Sequence, residues 1–326
     1  MSTDFQNREP TEWVNSWISH ANCKGDRILL IGDSVTRALR GKLEFFLKKW
    51  YHVDLFASSF AITDHLFWRH LQCFFNDEYQ YKIIIINYNF HHGYIGDYAG
   101  NEKILQTMYQ KLIHLCQSFC DRVVVMTGTS CMKVDDFEQL DTGVETELLA
   151  RNIIAKQAAE DTGSPVFDLH LIMKQGRGVD FKYIDRVHFE NSAYFYIAYK
   201  MLAELSIIKE AERERVRELM DRFLGIEKIT DSIIYLEGED AYYIYYWLKY
   251  FCEDIRIVAW AVTDGGDIRK EICSIPVYEI DRVDNKNSLL IIAANDQYEQ
   301  QMRDTAEKLG FKKIKSYRCM RSDLYL

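Results

Sequence analysis

Proline and glycine are scarce in this chain, at 3 and 16 of 326 residues. So few breakers argue against long disordered linkers. Positive charge is also short: 40 Lys and Arg against 49 Asp and Glu leave a formal net charge of -9. Nucleic acid is therefore not expected as a partner, because phosphate binding is driven by clustered cations. No run of about 18 apolar residues occurs, which excludes a spanning helix and argues against a membrane partner. The first 22 residues are polar and lack an apolar h-region, so no secretory signal is expected. The eight cysteines (23, 73, 116, 120, 131, 252, 273 and 319) form no C-x-x-C pair and no finger-like spacing. They read as reduced and mostly buried thiols of a cytoplasmic protein, with no metal expected.

What is present is ordinary for a globular protein: 48% hydrophobic and 27% charged residues. Aromatics reach 14%, with 21 Tyr, so core and cleft should both be aromatic-rich. The length suffices for two domains. Apolar β-branched runs at 27–31, 52–57, 81–87, 122–127 and 165–169 alternate with helical patterns around 36–50, 64–75, 102–119 and 145–160. Near-continuous apolar runs such as Ile83-Ile84-Ile85-Ile86 fit strands covered on both faces. The expectation is an α/β fold: a five-stranded parallel sheet flanked by helices, a flavodoxin-like three-layer arrangement. A helix over 191–205 closes this unit, and 209–223 reads as a connecting helix.

A second, smaller α/β open-sheet domain is expected from about residue 227. Its strands fall at 232–236, 255–262, 276–280, 289–293 and 313–317, with helices at 242–251 and 297–309. The divisions are then an N-terminal extension over 1–24, the first domain over 25–206, a linking helix over 207–226 and a Rossmann-like domain over 227–326. The first turn of that last domain, Glu237-Gly238-Glu239-Asp240-Ala241, lacks the repeated glycines that admit a pyrophosphate. It also puts carboxylates where a phosphate would sit. No dinucleotide and no other cofactor is expected, and the domain reads as structural or partner-binding.

Ligands of open parallel sheets bind at the carboxyl ends of the strands. Ser34 follows the first strand, Ser58-Ser59 the second and Asn87-Tyr88-Asn89 the third, while Asp185 and His188 come after the fifth. All therefore gather on one sheet edge. A serine is a poor nucleophile without a base in hydrogen-bond reach, and the base needs a third group to hold its tautomer. Ser34, His188 and Asp185 are those three parts, and Ser34 also opens a helix whose N-terminus favours a developing oxyanion.

Gly32-Asp33-Ser34, with Val35 next, and Asp185-x-x-His188 before a helix resemble the first and last blocks of the SGNH (GDSL-like) hydrolase superfamily. The resemblance covers about residues 25–205. It implies Ser34 as nucleophile, His188 as base and Asp185 as its orienting partner. It also implies an oxyanion hole made of the Ser34 amide, an amide after the second strand and an asparagine after the third. Ser59 is the expected second amide, although the usual glycine is missing from Phe56-Ala57-Ser58-Ser59-Phe60-Ala61. Asn89 matches the family asparagine by position, and Asn87, two residues earlier, faces the same side if the strand continues.

Asp33, Tyr88, His91, His92 and Trp68 are the remaining candidate cleft residues. The adjacent His91 and His92 point apart, which argues against zinc. Trp68 reads equally as a sugar-stacking ring or as core. Arg37 and Arg40 read by default as a solvated helix face, with Arg37 also placed to meet an anionic substrate. Tyr242, Tyr243, Tyr245 and Tyr246 read as packing between domains. The function implied is removal of a short acyl group, acetyl first, from a carbohydrate or other small polar substrate. Two alternatives stay open: an O-acyltransferase acting on a glycan with the same triad, and a catalytically silent binding protein of this fold. The oligomeric state is not legible.

Overall fold

The computed structural model describes residues 8–76, 78–87, 102–120, 122–176, 181–225, 230–236, 240–252, 254–263 and 270–318. The chain divides into two units, Met1–Gly176 with Lys182–Glu190, and Arg177–Phe181 with Asn191–Leu326.

In chain order the first unit contains β1 (Val14–Trp17), β2 (Arg27–Gly32), α1 (Ser34–Leu47), β3 (His52–Ser58), α2 (His65–Leu71), β4 (Tyr81–Ile86), α3 (Glu102–Gln117), β5 (Val123–Met126), α4 (Thr142–Asp161), β6 (Val166–Phe167) and α5 (Leu169–Gly176). Its sheet has the order β1-β3-β2-β4-β5-β6. The five strands from β3 to β6 are parallel, as expected, whereas β1 pairs antiparallel with β3 at the edge. The sequence reading placed no strand before residue 27. Val14-Asn15-Ser16-Trp17 is too short and too polar to announce itself, and pairing with β3 is what makes it a strand.

All six residues of β2 are buried, as a strand with helices on both faces requires. Leu29, Ile31, Phe56, Ile84, Ile86, Val123 and Val125 form one core with Phe67, Leu71, Tyr109, Leu112, Ile113, Ala155 and Ala158 from the helices. The opposite faces of the strands are sealed too, and α1 buries Val35, Leu39, Leu43, Phe46 and Leu47 at helical spacing.

At the start of β2 the fully buried Arg27 bonds both carboxylate oxygens of the equally buried Asp54 on β3, at 2.9 and 3.1 Å. The guanidinium also donates to the carbonyls of Ser19, His20 and Cys23, at 2.7, 3.0 and 3.2 Å. Removing one member of such a buried pair costs about 3–5 kcal/mol, because the other is left uncompensated.

The second unit contains α6 (Asn191–Leu205), α7 (Glu210–Leu224), β7 (Thr230–Leu236), α8 (Asp240–Phe251), β8 (Ile255–Val262), β9 (Glu271–Ile272), β10 (Ile275–Glu279), β11 (Leu289–Ala293), α9 (Asp296–Lys308) and β12 (Lys313–Ser316). Its sheet order is β12-β11-β7-β8-β10-β9. Every pair is parallel except β9 with β10. The five parallel strands, counted in chain order, lie as 3-2-1-4-5, the doubly wound order. Gly225 ends α7 in the left-handed conformation at φ 68°, where a side chain would be strained.

The sequence reading closed the first unit with helix 191–205, but this helix, α6, falls in the second. Its Phe195 packs edge-on against Tyr243 at 4.0 Å, and its Tyr199 lies 5.5 Å from Tyr246. The aromatic stretch of α8 thus packs on α6 within one unit. The carboxylate-bearing turn 237–239 lies outside the described residues.

Candidate active site

Five parallel strands in the spatial order 2-1-3-4-5 reverse their winding between β2 and β4, and the crevice beyond that point is where an open sheet binds ligands. Ser34 stands there, directly after β2. The turn that carries it is tight. A Cβ on Gly32 would lie 2.1 Å from Thr36 Oγ1 and 2.5 Å from the Asn87 carbonyl, so glycine is required by close approach.

Asp33 is the helix cap. Its Oδ1 accepts from the amides of Val35 at 3.0 Å and Thr36 at 3.4 Å, and its carbonyl accepts from Arg37 at 2.9 Å. This leaves the Ser34 amide as the unclaimed donor of the first turn among the described residues. Asp33, expected in the cleft, is buried and capping.

His188 arrives on a small hairpin. Tyr183 and Phe189 form an antiparallel bridge, and the Ile184 amide donates to the His188 carbonyl at 2.9 Å. Asp185 Oδ1 accepts from the amides of Val187 and His188, both at 2.8 Å. Its Oδ2 lies 2.8 Å from His188 Nδ1, and His188 Nε2 lies 2.7 Å from Ser34 Oγ. Partial burial raises the Asp185 carboxyl, but the two amides and the imidazole outweigh it and hold it below the ordinary aspartate range. Asp185 therefore stays ionised and accepts Nδ1–H, which turns Nε2 toward the hydroxyl.

Arg186, between the two, was missed by sequence reasoning. Its Nε donates to the Met132 carbonyl at 3.1 Å, its Nη2 pairs with Asp141 at 2.9 Å, and its own carbonyl accepts the Met132 amide at 2.7 Å. Val187 packs on Cys131, Val144 and Leu148. The hairpin is thus fastened to the segment after β5.

Ser130 of that segment joins a second cluster with Glu145 on α4 and His170 on α5. His170 Nε2 lies 2.8 Å from Glu145 Oε1 and 3.2 Å from Ser130 Oγ. One ring nitrogen faces both oxygens, so the imidazole cannot pass a proton from serine to carboxylate through its two nitrogens, and the cluster is a tie rather than a triad. Burial raises the Glu145 carboxyl, and the bonds from His170 and Ser130 bring it below its usual range.

Two expected oxyanion donors are committed elsewhere. The Ser59 amide donates to the Trp13 carbonyl at 3.1 Å, and its hydroxyl bonds Glu12 at 2.5 Å and accepts the Trp13 amide at 2.8 Å. The N-terminal segment thereby occupies the donor that sequence reasoning assigned to the site. Asn87 spends both hydrogens of its side-chain amide on the Met126 and Thr127 carbonyls, at 3.3 and 2.8 Å. It turns toward β5 because those end-of-strand carbonyls need donors. Asn89, Tyr88, His91 and His92 lie outside the described residues.

Trp68 donates Nε1–H to the Ile62 carbonyl at 2.7 Å and packs against the core, which favours the packing reading over sugar stacking. Arg40 is buried and bonds Glu44 twice at 2.8 Å, so it is not a solvated face. Among the described residues no three His, Cys, Asp or Glu side chains group to hold a metal, and no helix is long and apolar enough to cross a membrane.

No family model matches the chain, and a search of curated proteins finds no similar one. Solved structures that resemble it include a lipolytic protein of the G-D-S-L family from Veillonella parvula, at 17% identity and TM-score 0.44, covering 56% of this chain and 100% of that one. An acetylxylan esterase from Geobacillus stearothermophilus aligns at 15% identity and TM-score 0.40, covering 57% of this chain and 96% of that one. An α/β hydrolase from the metagenome of Lake Arreo aligns at 13% identity and TM-score 0.43, covering 56% of this chain and 96% of that one. At these values the likenesses carry no functional weight.

Proposed function

We propose that the chain is a serine esterase of the SGNH type that removes a short acyl group, acetyl first, from a carbohydrate or other small polar substrate. The observation that carries this reading is the continuous line from Ser34 Oγ through His188 to Asp185, with links of 2.7 and 2.8 Å.

In this reading Ser34 Oγ attacks the ester carbonyl as His188 Nε2 takes its proton. The carbonyl π electrons move to oxygen, where the Ser34 amide and the positive end of α1 stabilise the charge. Collapse of the tetrahedral intermediate expels the alcohol, which receives the proton from His188 and leaves an acyl-Ser34. Water, deprotonated by the same imidazole, then attacks the acyl carbon and releases the acid. Asp185 keeps its charge throughout and stabilises the imidazolium. The carbohydrate acetyl ester is the substrate class that the motif resemblance implies.

Hydrolysis of p-nitrophenyl acetate, butyrate and octanoate by wild type and Ser34→Ala tests the reading, with fluorophosphonate labelling of Ser34 alongside. Turnover favouring acetate and abolished in the variant supports it. Equal rates in both proteins, with Ser34 unlabelled in folded protein, would sink it.

A further inference from the structure

The helix that starts at Ser34 carries a second chemical group one turn on. Residues three apart on a helix are neighbours, with Cβ atoms about 5–6 Å apart. Helical Cα–Cβ bonds tilt toward the N-terminus, so the stem of Arg37 leans back over the turn that holds Ser34. Arg37 is exposed, and its guanidinium carbon lies 5.1 Å from the centroid of the Trp13 ring. Trp13 is itself held by both backbone hydrogen bonds to Ser59.

Several other arginines of the first unit are neutralised. Arg8 pairs with Asp64, Arg27 with Asp54, Arg40 with Glu44 and Arg186 with Asp141. Arg37 has no carboxylate partner among the described residues. A guanidinium held over a ring by its charge keeps N–H donors that match the two oxygens of a carboxylate. In a protein of net charge -9, an anionic substrate needs such a local cation to offset the general repulsion.

We propose that Arg37, held over the Trp13 ring, is a specificity residue that binds a carboxylate on the acylated substrate. The substrate class is then an acyl ester of an acidic sugar or another hydroxy acid. This inference rests on the esterase reading of Ser34.

The test compares kcat/KM for phenyl acetate and 4-acetoxybenzoate, which share the acetyl group and differ by one para carboxylate. Wild type, Arg37→Lys, Arg37→Gln and Arg37→Glu are measured, with Ser34→Ala as blank. The ratio of anionic to neutral ester is expected to fall roughly tenfold in the Gln variant, since charged hydrogen bonds near solvent are discounted from their buried strength. It falls further in the Glu variant and is partly kept by Lys, with the loss in KM. An unchanged ratio across the series, with Ser34-dependent turnover of phenyl acetate, would overturn the inference and leave the esterase reading intact. Where Ser34 takes the fluorophosphonate label but neither ester turns over, protection from labelling by benzoate is compared with that by benzyl alcohol. Preference for benzoate that Arg37→Gln abolishes supports the inference, and equal protection overturns it. Absence of both turnover and labelling removes the esterase reading and this inference with it.

Discussion

Asp185 serves His188 twice: Oδ2 faces the imidazole Nδ1 at 2.8 Å while Oδ1 accepts the backbone amide of the same residue at 2.8 Å. One carboxylate thus sets both the tautomer of the imidazole and the turn that carries it. The two tasks separate by substitution. Asp185→Asn keeps an oxygen for the amides but offers Nδ1 a donor, which favours the tautomer with its proton on Nε2. We expect kcat to fall by roughly four orders of magnitude with little change in folding, measured by ester hydrolysis and urea unfolding. Asp185→Ala should lose both.

The same carboxylate makes a pH prediction. Its folded pKa lies below the ordinary value, so its stabilising contribution is fully present above about pH 5 and is lost as pH falls through the folded value, below about 3.9. The stability gap between wild type and Asp185→Ala should therefore narrow as pH falls from about 5 through the folded value. The gap is modest because the side chain is 47% exposed. A gap that widened in acid, read from urea midpoints, would contradict this assignment.

Gly32→Ala tests the tight turn. The added methyl meets Thr36 Oγ1 at 2.1 Å and the Asn87 carbonyl at 2.5 Å, and the latter is backbone that cannot swing aside. A loss of about 2–4 kcal/mol is expected in denaturant unfolding. Activity should fall as well, because the displaced turn is the one that carries Ser34.

Asn87→Ala distinguishes a structural amide from an oxyanion donor. Removing it leaves the Met126 and Thr127 carbonyls without a side-chain donor, which costs about 1–3 kcal/mol of stability. An oxyanion donor would instead cost about 100- to 1000-fold in kcat. The structure leads us to expect the first outcome, read by comparing urea midpoints with turnover.

Much of this was visible in residue order alone. The strands of both sheets repeat as buried apolar runs, and a parallel sheet brings its strand ends to one edge without further information. Ser34, Asp185 and His188 were therefore legible together. Ser59 and Asn87 were misread for a common reason: a residue number fixes which strand end a side chain or amide follows, but not which neighbour claims its hydrogens. Trp13 claims one, and the Met126 and Thr127 carbonyls claim the other. Arg186 went unread because its partners, Met132 and Asp141, are more than 40 positions away. β1 was missed because its strand character is supplied by β3.

The first strand carries a practical lesson for anyone producing this protein. Trimming the chain at residue 24, where the sequence reading ends an N-terminal extension, would strip β3 of its antiparallel neighbour and leave an open sheet edge for other molecules to join. It would also take from the buried Arg27 the carbonyls of Ser19, His20 and Cys23, leaving part of its guanidinium without the acceptors that complement the Asp54 pair. A shortened version is thus expected to come out of the cell as aggregate, and its inactivity would say nothing about Ser34.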